Sequence, residues 1–461
     1  MVQRHGHDAL CARDALRGLR NPFPLGAGAA VIGWLGILRL GLVQTSLGAV
    51  VVLTTSAINR VMVVELGLPA TIPGLLVALH YAVQLMRPAM GYGSDAGGRR
   101  TPWIIGGVGV LALGGIGAAL ATGLMAEWRV AGLALAAASF VMIGLGVGAA
   151  GTSLLALLAT RVAPARRAPA ATIVWLMMIF GFIVTTAVAG RFLDPFSPAR
   201  LLAVAAVVSG LALLVTVLAV WGMEPKALRT EPDTAPRAGF RAALAEIWDE
   251  RQARQFTVFV FVSMLAYSAQ DLILEPFGGV VFGLSLGETT KLASLQHGGV
   301  FGGMILVAVL GGRFGSLKGW TVAGCAASAV ALFGLAGAGA VGPGWPLGAS
   351  YVALGVANGA FAAAAIATMM QLAGQGRGGR EGMRMGLWGA AQAIAFGLGG
   401  LAGAGASDLA RSLIASAPIA YGTVFCGEAA LFLVSGVLAA RIGRAAAPGL
   451  RLGGLAASRN G

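Results

Sequence analysis

The sequence predicts an all-α membrane protein of twelve transmembrane helices in two six-helix repeats, and three observations carry that reading. Of 461 residues, 57% are apolar and only 11% are charged, against roughly 25% charged in a soluble domain. Apolar stretches of about 20 residues, enough to cross some 30 Å of hydrocarbon at 1.5 Å per residue, recur along nearly the whole chain. The longest internal polar loop falls after the sixth stretch and divides them evenly.

Taken in order, residues 1–37 form a cytoplasmic tail and interfacial segment. Arg4, Arg13, Arg17 and Arg20 lie there without an apolar core and small-residue cleavage site, so a signal peptide is not expected. The first bundle, 38–222, holds spans at 38–58, 69–91, 103–123, 130–158, 170–190 and 201–222. A cytoplasmic linker, 223–255, begins polar and proline-rich. It then places Phe240, Leu244, Ile247 and Trp248 at helical spacing among charged residues, the pattern of an amphipathic helix on the membrane surface. The second bundle, 256–440, holds spans at 256–274, 289–311, 320–340, 346–372, 385–406 and 418–440, and a cytoplasmic tail, 441–461, closes the chain.

The distribution of basic residues tests this count, because a wrong number of spans would scramble it. On one face fall Arg60, Arg129, Arg191, Arg200, Lys291 and Arg411, whereas most of the 32 Lys and Arg residues collect on the other. Both termini are therefore expected in the cytoplasm. A net charge of +14 is accounted for by basic loops facing anionic lipid and implies no nucleic-acid partner.

A repeated turn supports internal duplication. GYGSDAGGRR follows the second span and GGRFGSLKG the eighth, each starting with glycine and rich in basic residues. Gly91, Asp95, Gly98, Arg99 and Arg100 resemble the gating loop between the second and third helices of the major facilitator superfamily. Glycines there let two helices approach, and the aspartate can pair with an arginine or a helix N-terminus. Position 96 is alanine where that pattern usually carries a basic residue.

Other patterns fail on context. Gly146, Gly148 and Gly151 satisfy a dinucleotide fingerprint but sit inside the fourth span, where Gly144 and Gly148 are better read as a close helix contact. No phosphate-loop motif occurs, so no nucleotide is expected. Cys11, Cys325 and Cys426 lack metal-site spacing, so neither a disulfide nor a free metal is expected. No nucleophile, base and metal-ligand cluster lies outside the spans, which speaks against an enzyme.

Ionisable groups inside spans are costly and therefore mark function by default. His80, His297 and Glu428 are the central ones, and Asn59, Arg60, Glu65, Gln270, Asp271, Glu275 and Glu288 lie near the periplasmic ends. So sparse a set suits an apolar ligand. The plain reading of Asn59, Arg60 and Glu65 is a capped helix end with a local ion pair. That of Asp271 and Glu275, four apart, is a solvated helix end.

The stretches INRVMVVELGLPATIPGLLVALHYAVQLMRP and YSAQDLILEPFGGVVFGLSLGETTKL resemble the PucC family, also called the bacteriochlorophyll delivery family, a branch of the same superfamily. Asn59, Arg60 and Glu65 carry the match in the first, and Gln270, Asp271, Glu275, Pro276, Gly278 and Gly279 in the second. The shorter turn GSDAGGRRTPW suggests a third branch beside PucC and LhaA. The resemblance implies an inner-membrane protein, of the photosynthetic intracytoplasmic membrane, that binds bacteriochlorophyll or a late precursor and serves assembly of light-harvesting or reaction-centre complexes. Its implied partners are membrane lipid, light-harvesting polypeptides and bacteriochlorophyll synthase.

That pigment holds magnesium with an axial position open, so His80 and His297 become candidate ligands, three residues out of register when Gly91 is aligned with Gly311. Magnesium prefers oxygen donors, which makes Asn358, Gln392 and Glu428 competing candidates. The plain alternatives are neutral packing histidines and a buried protonated carboxyl. Two rival functions remain open: a proton-coupled transporter of a small apolar molecule working through Glu428, and a ligand-free chaperone of antenna polypeptides.

Overall fold

A computed structural model describes residues 32–87, 90, 94, 99–163, 166–224, 248–311, 313–375 and 381–442. Its regular elements are all helices: α1 (Trp34–Leu53), α2 (Thr71–Val83), α3 (Thr101–Glu127), α4 (Arg129–Arg161), α5 (Arg167–Phe192) and α6 (Pro198–Val220), then α7 (Arg251–Asp271), α8 (Leu274–Phe282), α9 (Leu286–Leu310), α10 (Leu317–Val341), α11 (Leu347–Gln375), α12 (Glu381–Leu413) and α13 (Ala417–Arg441). Among the described residues, 11 helical runs are long and apolar enough to cross a membrane. Of the second expected span, 69–91, the described residues show an apolar helix, Thr71–Met86, and 88, 89 and 91 lie outside them.

Local chemistry fixes the boundaries. Ser197 caps α6 ahead of a proline in the first turn, and Ser285 with Glu288 forms a capping box on α9. Gly283, at φ +67°, ends α8 in the left-handed conformation that glycine adopts without strain. The seventh span differs from expectation. Its helix begins at Arg251 and, after a break at Leu272 and Ile273, continues to Phe282. Of the expected surface helix, Phe240, Leu244 and Ile247 lie outside the described residues, as do Gly91, Asp95 and Gly98 of the gating loop.

Large apolar side chains such as Leu35, Leu113, Val130 and Leu218 stay exposed, the faces that lipid would cover. Within the first bundle, α1 packs on α5 and α6, α3 on α4 and α6, and α2 on α4. Six spans later the same partners recur: α7 packs on α12 and α13, α10 on α11 and α13, and α9 on α11. Between the bundles α2 meets α12 and α5 meets α9. Small residues allow the approach. A methyl group on Gly144 would lie 2.6 Å from the His80 carbonyl oxygen, and one on Gly146 would lie 2.6 Å from that of Gly107. The dinucleotide-like glycines are therefore contact points of α4 with α2 and α3.

Candidate functional site: an interbundle junction and the interior beside it

Both bundles lose helical regularity at one end. After 20 residues α1 passes into π-helical turns, Thr54–Ile58 and Val61–Glu65, and α7 breaks after 21 residues. Backbone groups freed inside a membrane must find new partners. Here the other bundle or a neighbouring helix supplies them. Asn59 donates to the Leu272 carbonyl at 2.9 Å and the Tyr351 hydroxyl to that of Leu274 at 2.6 Å.

Arg60 sits at the centre of this junction, 2% exposed. Its guanidinium pairs with Glu65 at 2.5 Å and donates to the Leu284 carbonyl at 2.7 Å. Gly279 makes room for it, since a methyl there would lie 3.1 Å from Nη2. The Ser56 hydroxyl donates to Glu275, which is buried at 3% exposure. The local ion pair is thus as read from sequence. The solvated end at Asp271 and Glu275 is not: Glu275 lies under α1 because the continuation into α8 folds it inward, and Asp271 is half-buried.

Two aspartates that sequence reasoning passed over fasten the same end. Asp408, near the end of α12, accepts from the backbone N–H of Ala70 at 2.8 Å, of Thr71 at 2.7 Å, and from the Thr71 hydroxyl. Asp194, just past α5, accepts from the Gly287 N–H at 2.9 Å and the Ser285 hydroxyl at 2.7 Å. Each carboxylate caps the first turn of a helix in the opposite bundle, where unpaired N–H groups and the helix dipole favour an anion. Their signal in sequence was an acidic residue at the end of each counterpart span, five and eleven.

Alongside, an aromatic row crosses from one bundle to the other. His80 meets Tyr81 edge-on at 4.8 Å between centroids, Tyr81 meets Phe396 of α12 at 5.5 Å, and Phe396 meets Tyr267 of α7 at 5.9 Å. Asp271 lies in electrostatic range of Tyr81, Tyr267 and Glu428. Gln392 stands one turn before Phe396 on α12 and is half-buried. His80 itself is buried, its Nε2 2.8 Å from the Gln84 side-chain nitrogen, while Arg87 donates to the Gln84 oxygen.

The remaining candidates lie apart from this row or lack partners. His297 stacks near Phe182 of α5 at 5.1 Å and shares no described contact with His80. Asn358 accepts from Ser328 at 2.8 Å, leaving its Nδ2 without a partner among the described residues. Neither carboxylate oxygen of Glu428, nor either amide atom of Gln270, has one there.

The profile of a family described as PUCC protein matches residues 57–447. A Rhodobacter capsulatus protein described as bacteriochlorophyll synthase 44.5 kDa chain is 55% identical over 412 residues, 88% of this chain and 95% of that one. Protein PucC of Cereibacter sphaeroides is 31% identical over 390 residues, 80% of this chain and 82% of that one. Among solved structures, a D-xylose-proton symporter superposes with a TM-score of 0.68 at 14% identity, covering 88% of this chain and 97% of that one. A peptide transporter, POT, in complex with sulfate gives 0.67 at 15%, covering 91% and 98%. At such identities the likeness shows the fold, that of major facilitator transporters.

Proposed function

This chain belongs to the PucC family, and on that premise we propose that it binds bacteriochlorophyll or a late precursor in the bacterial inner membrane and delivers it to assembling light-harvesting or reaction-centre complexes. The observation that carries the reading is the row of rings from His80 to Tyr267, which joins α2, α12 and α7 beside polar groups without partners among the described residues. A flat, largely apolar ring suits such a surface. The relative described as a bacteriochlorophyll synthase chain supports the same ligand class and makes the synthase a candidate partner, with lipid and antenna polypeptides. In this reading the chain carries no reaction of its own.

The residues present fit a magnesium pigment in part. Glu428 offers two oxygens without partners among the described residues, the donor type magnesium prefers, and His297, Asn358 and Gln392 are further donors within the spans. When bound, the pigment would supply a magnesium ion that one of them would hold. His80 as arranged does not offer a free lone pair, because the Gln84 amide already points its N–H at Nε2.

The full architecture belongs to the proposal as well. Twelve spans in two six-helix repeats, with both termini cytoplasmic, are supported by the recurring packing partners and by the counterpart caps of Asp194 and Asp408. One specific observation favours a second reading, a proton-coupled transporter: Glu428 is buried, without a partner among the described residues, and within range of Asp271.

The test is the absorption spectrum of protein purified in mild detergent from a phototrophic host, wild type beside Glu428→Gln and His297→Leu. A stoichiometric near-infrared band in the wild type, lost in one variant whose gel-filtration profile is unchanged, supports the pigment reading. A colourless wild type that drives proton-coupled uptake in vesicles would replace it with the transporter.

A further inference from the structure

We propose that His80 is a hydrogen-bond donor, through Nδ1–H, to a carbonyl oxygen of a flat apolar ligand lying along the aromatic row, and that it is not a magnesium ligand. The inference rests on the ligand-binding reading above and assigns His80 a role within it.

Three side chains carry the argument, His80 near the end of α2 and Gln84 and Arg87 in the turn that follows it. Arg87 donates to the Gln84 amide oxygen, and a guanidinium has only donors, so that oxygen is fixed as the acceptor. The Gln84 amide nitrogen therefore points its hydrogen at His80 Nε2, 2.8 Å away. A nitrogen that accepts a hydrogen bond in neutral imidazole is the unprotonated one, which places the proton on Nδ1. Nδ1 is buried and has no partner among the described residues. A buried N–H without an acceptor is disfavoured, so the chain from Arg87 through Gln84 ends in a donor awaiting an oxygen. The ring that carries it is the first member of the row His80, Tyr81, Phe396 and Tyr267. Apolar surface with one convergent polar group is the usual composition of a small-molecule site. Magnesium ligation would need a lone pair on Nδ1, which the Gln84 orientation denies.

Two probes separate donor from ligand: bacteriochlorophyll a, and the same pigment with magnesium removed, titrated into detergent-solubilised wild type, His80→Leu and Gln84→Glu. If His80 donates to a carbonyl, His80→Leu weakens both probes alike, by about tenfold. Gln84→Glu places an acceptor on Nε2 and moves the proton there, so the metal-free probe weakens by a similar factor while the magnesium pigment, offered a lone pair, is retained. Nitrogen NMR of histidine-labelled protein without pigment, assigned by difference against His80→Leu, should show Nδ1 protonated in the wild type and Nε2 protonated in Gln84→Glu. An Nε2-protonated wild type overturns the inference, as does loss in His80→Leu confined to the magnesium probe, and both leave the pigment reading standing. A wild type that binds neither probe overturns that reading, and this one with it.

Discussion

A guanidinium inside a bundle that spans hydrocarbon needs partners, and Arg60 finds them for both terminal nitrogens while its Nε has none among the described residues. Glu65, the Leu284 carbonyl and the close backbone at Gly279 surround it. Removing one member of a buried pair costs about 3–5 kcal/mol, and because Glu65 is 32% exposed the lower end applies. Arg60→Ala should therefore lower stability by about 3 kcal/mol, read by thermal unfolding in detergent, and Arg60→Lys should recover only part, since a point charge cannot satisfy two separated acceptors. Gly279→Ala brings a methyl to 3.1 Å from Nη2 and 3.3 Å from Nε. It should cost about 1 kcal/mol in the wild type and less when Arg60 is already alanine, the remainder coming from Val64 Cγ2 at 3.2 Å, a coupling that a double-mutant cycle measures. The Arg60 to Glu65 pair was legible because both charges stood within one short segment. Its spacing of five works because the intervening turn is π-helical, bringing the fifth residue back beneath the first. Glu275 was misread for the complementary reason: its burial depends on Ser56, more than two hundred positions away, and no local pattern reports that.

The helices themselves were visible as apolar runs, but how their ends engage the opposite bundle was not. Asp194 and Asp408 look like ordinary polar loop residues until α9 and α2 are brought beneath them. Loss of a cap costs about 0.5–2 kcal/mol each, and the two are far enough apart to add. Together they hold one end of the interface closed, so Asp194→Ala with Asp408→Ala should open it. In a background lacking Cys11, Cys325 and Cys426, Ser56→Cys lies at a site 6% exposed and should resist a membrane-impermeant maleimide. In the double alanine variant its labelling rate should rise at least severalfold; an unchanged rate would mean that the Arg60 cluster closes the junction unaided. The α9 and α11 pair approaches differently, with backbone close to backbone. A methyl on Gly355 would sit 2.1 Å from the Gln296 carbonyl oxygen, which cannot rotate away. Gly355→Ala should force the helices apart and lower stability by about 1–3 kcal/mol, measured by the same unfolding assay.

At the scale of the whole molecule, the charge asymmetry in the loops and the recurring helix partners both argue for twelve crossings, yet the count turns on one element. Thr71–Met86 accounts for roughly 24 Å at 1.5 Å per residue, and the remainder of the expected span, 69–91, falls partly outside the described residues. If α2 crosses, Gly33 ahead of α1 and Arg99 ahead of α3 lie on one side of the membrane, with Trp128 and Leu413 on the other. If it does not, Gly33 and Arg99 fall on opposite sides. All four positions are exposed, so single cysteines there can be labelled with an impermeant thiol reagent in intact spheroplasts and again after lysis. The twelve-span reading expects Trp128→Cys and Leu413→Cys to react in intact spheroplasts, and Gly33→Cys and Arg99→Cys only after lysis. Reaction of Arg99→Cys from outside, with Gly33→Cys still protected, would leave eleven crossings. It would also place the basic turn at Arg99 and Arg100 on the outer face, against the charge bias that predicted the topology.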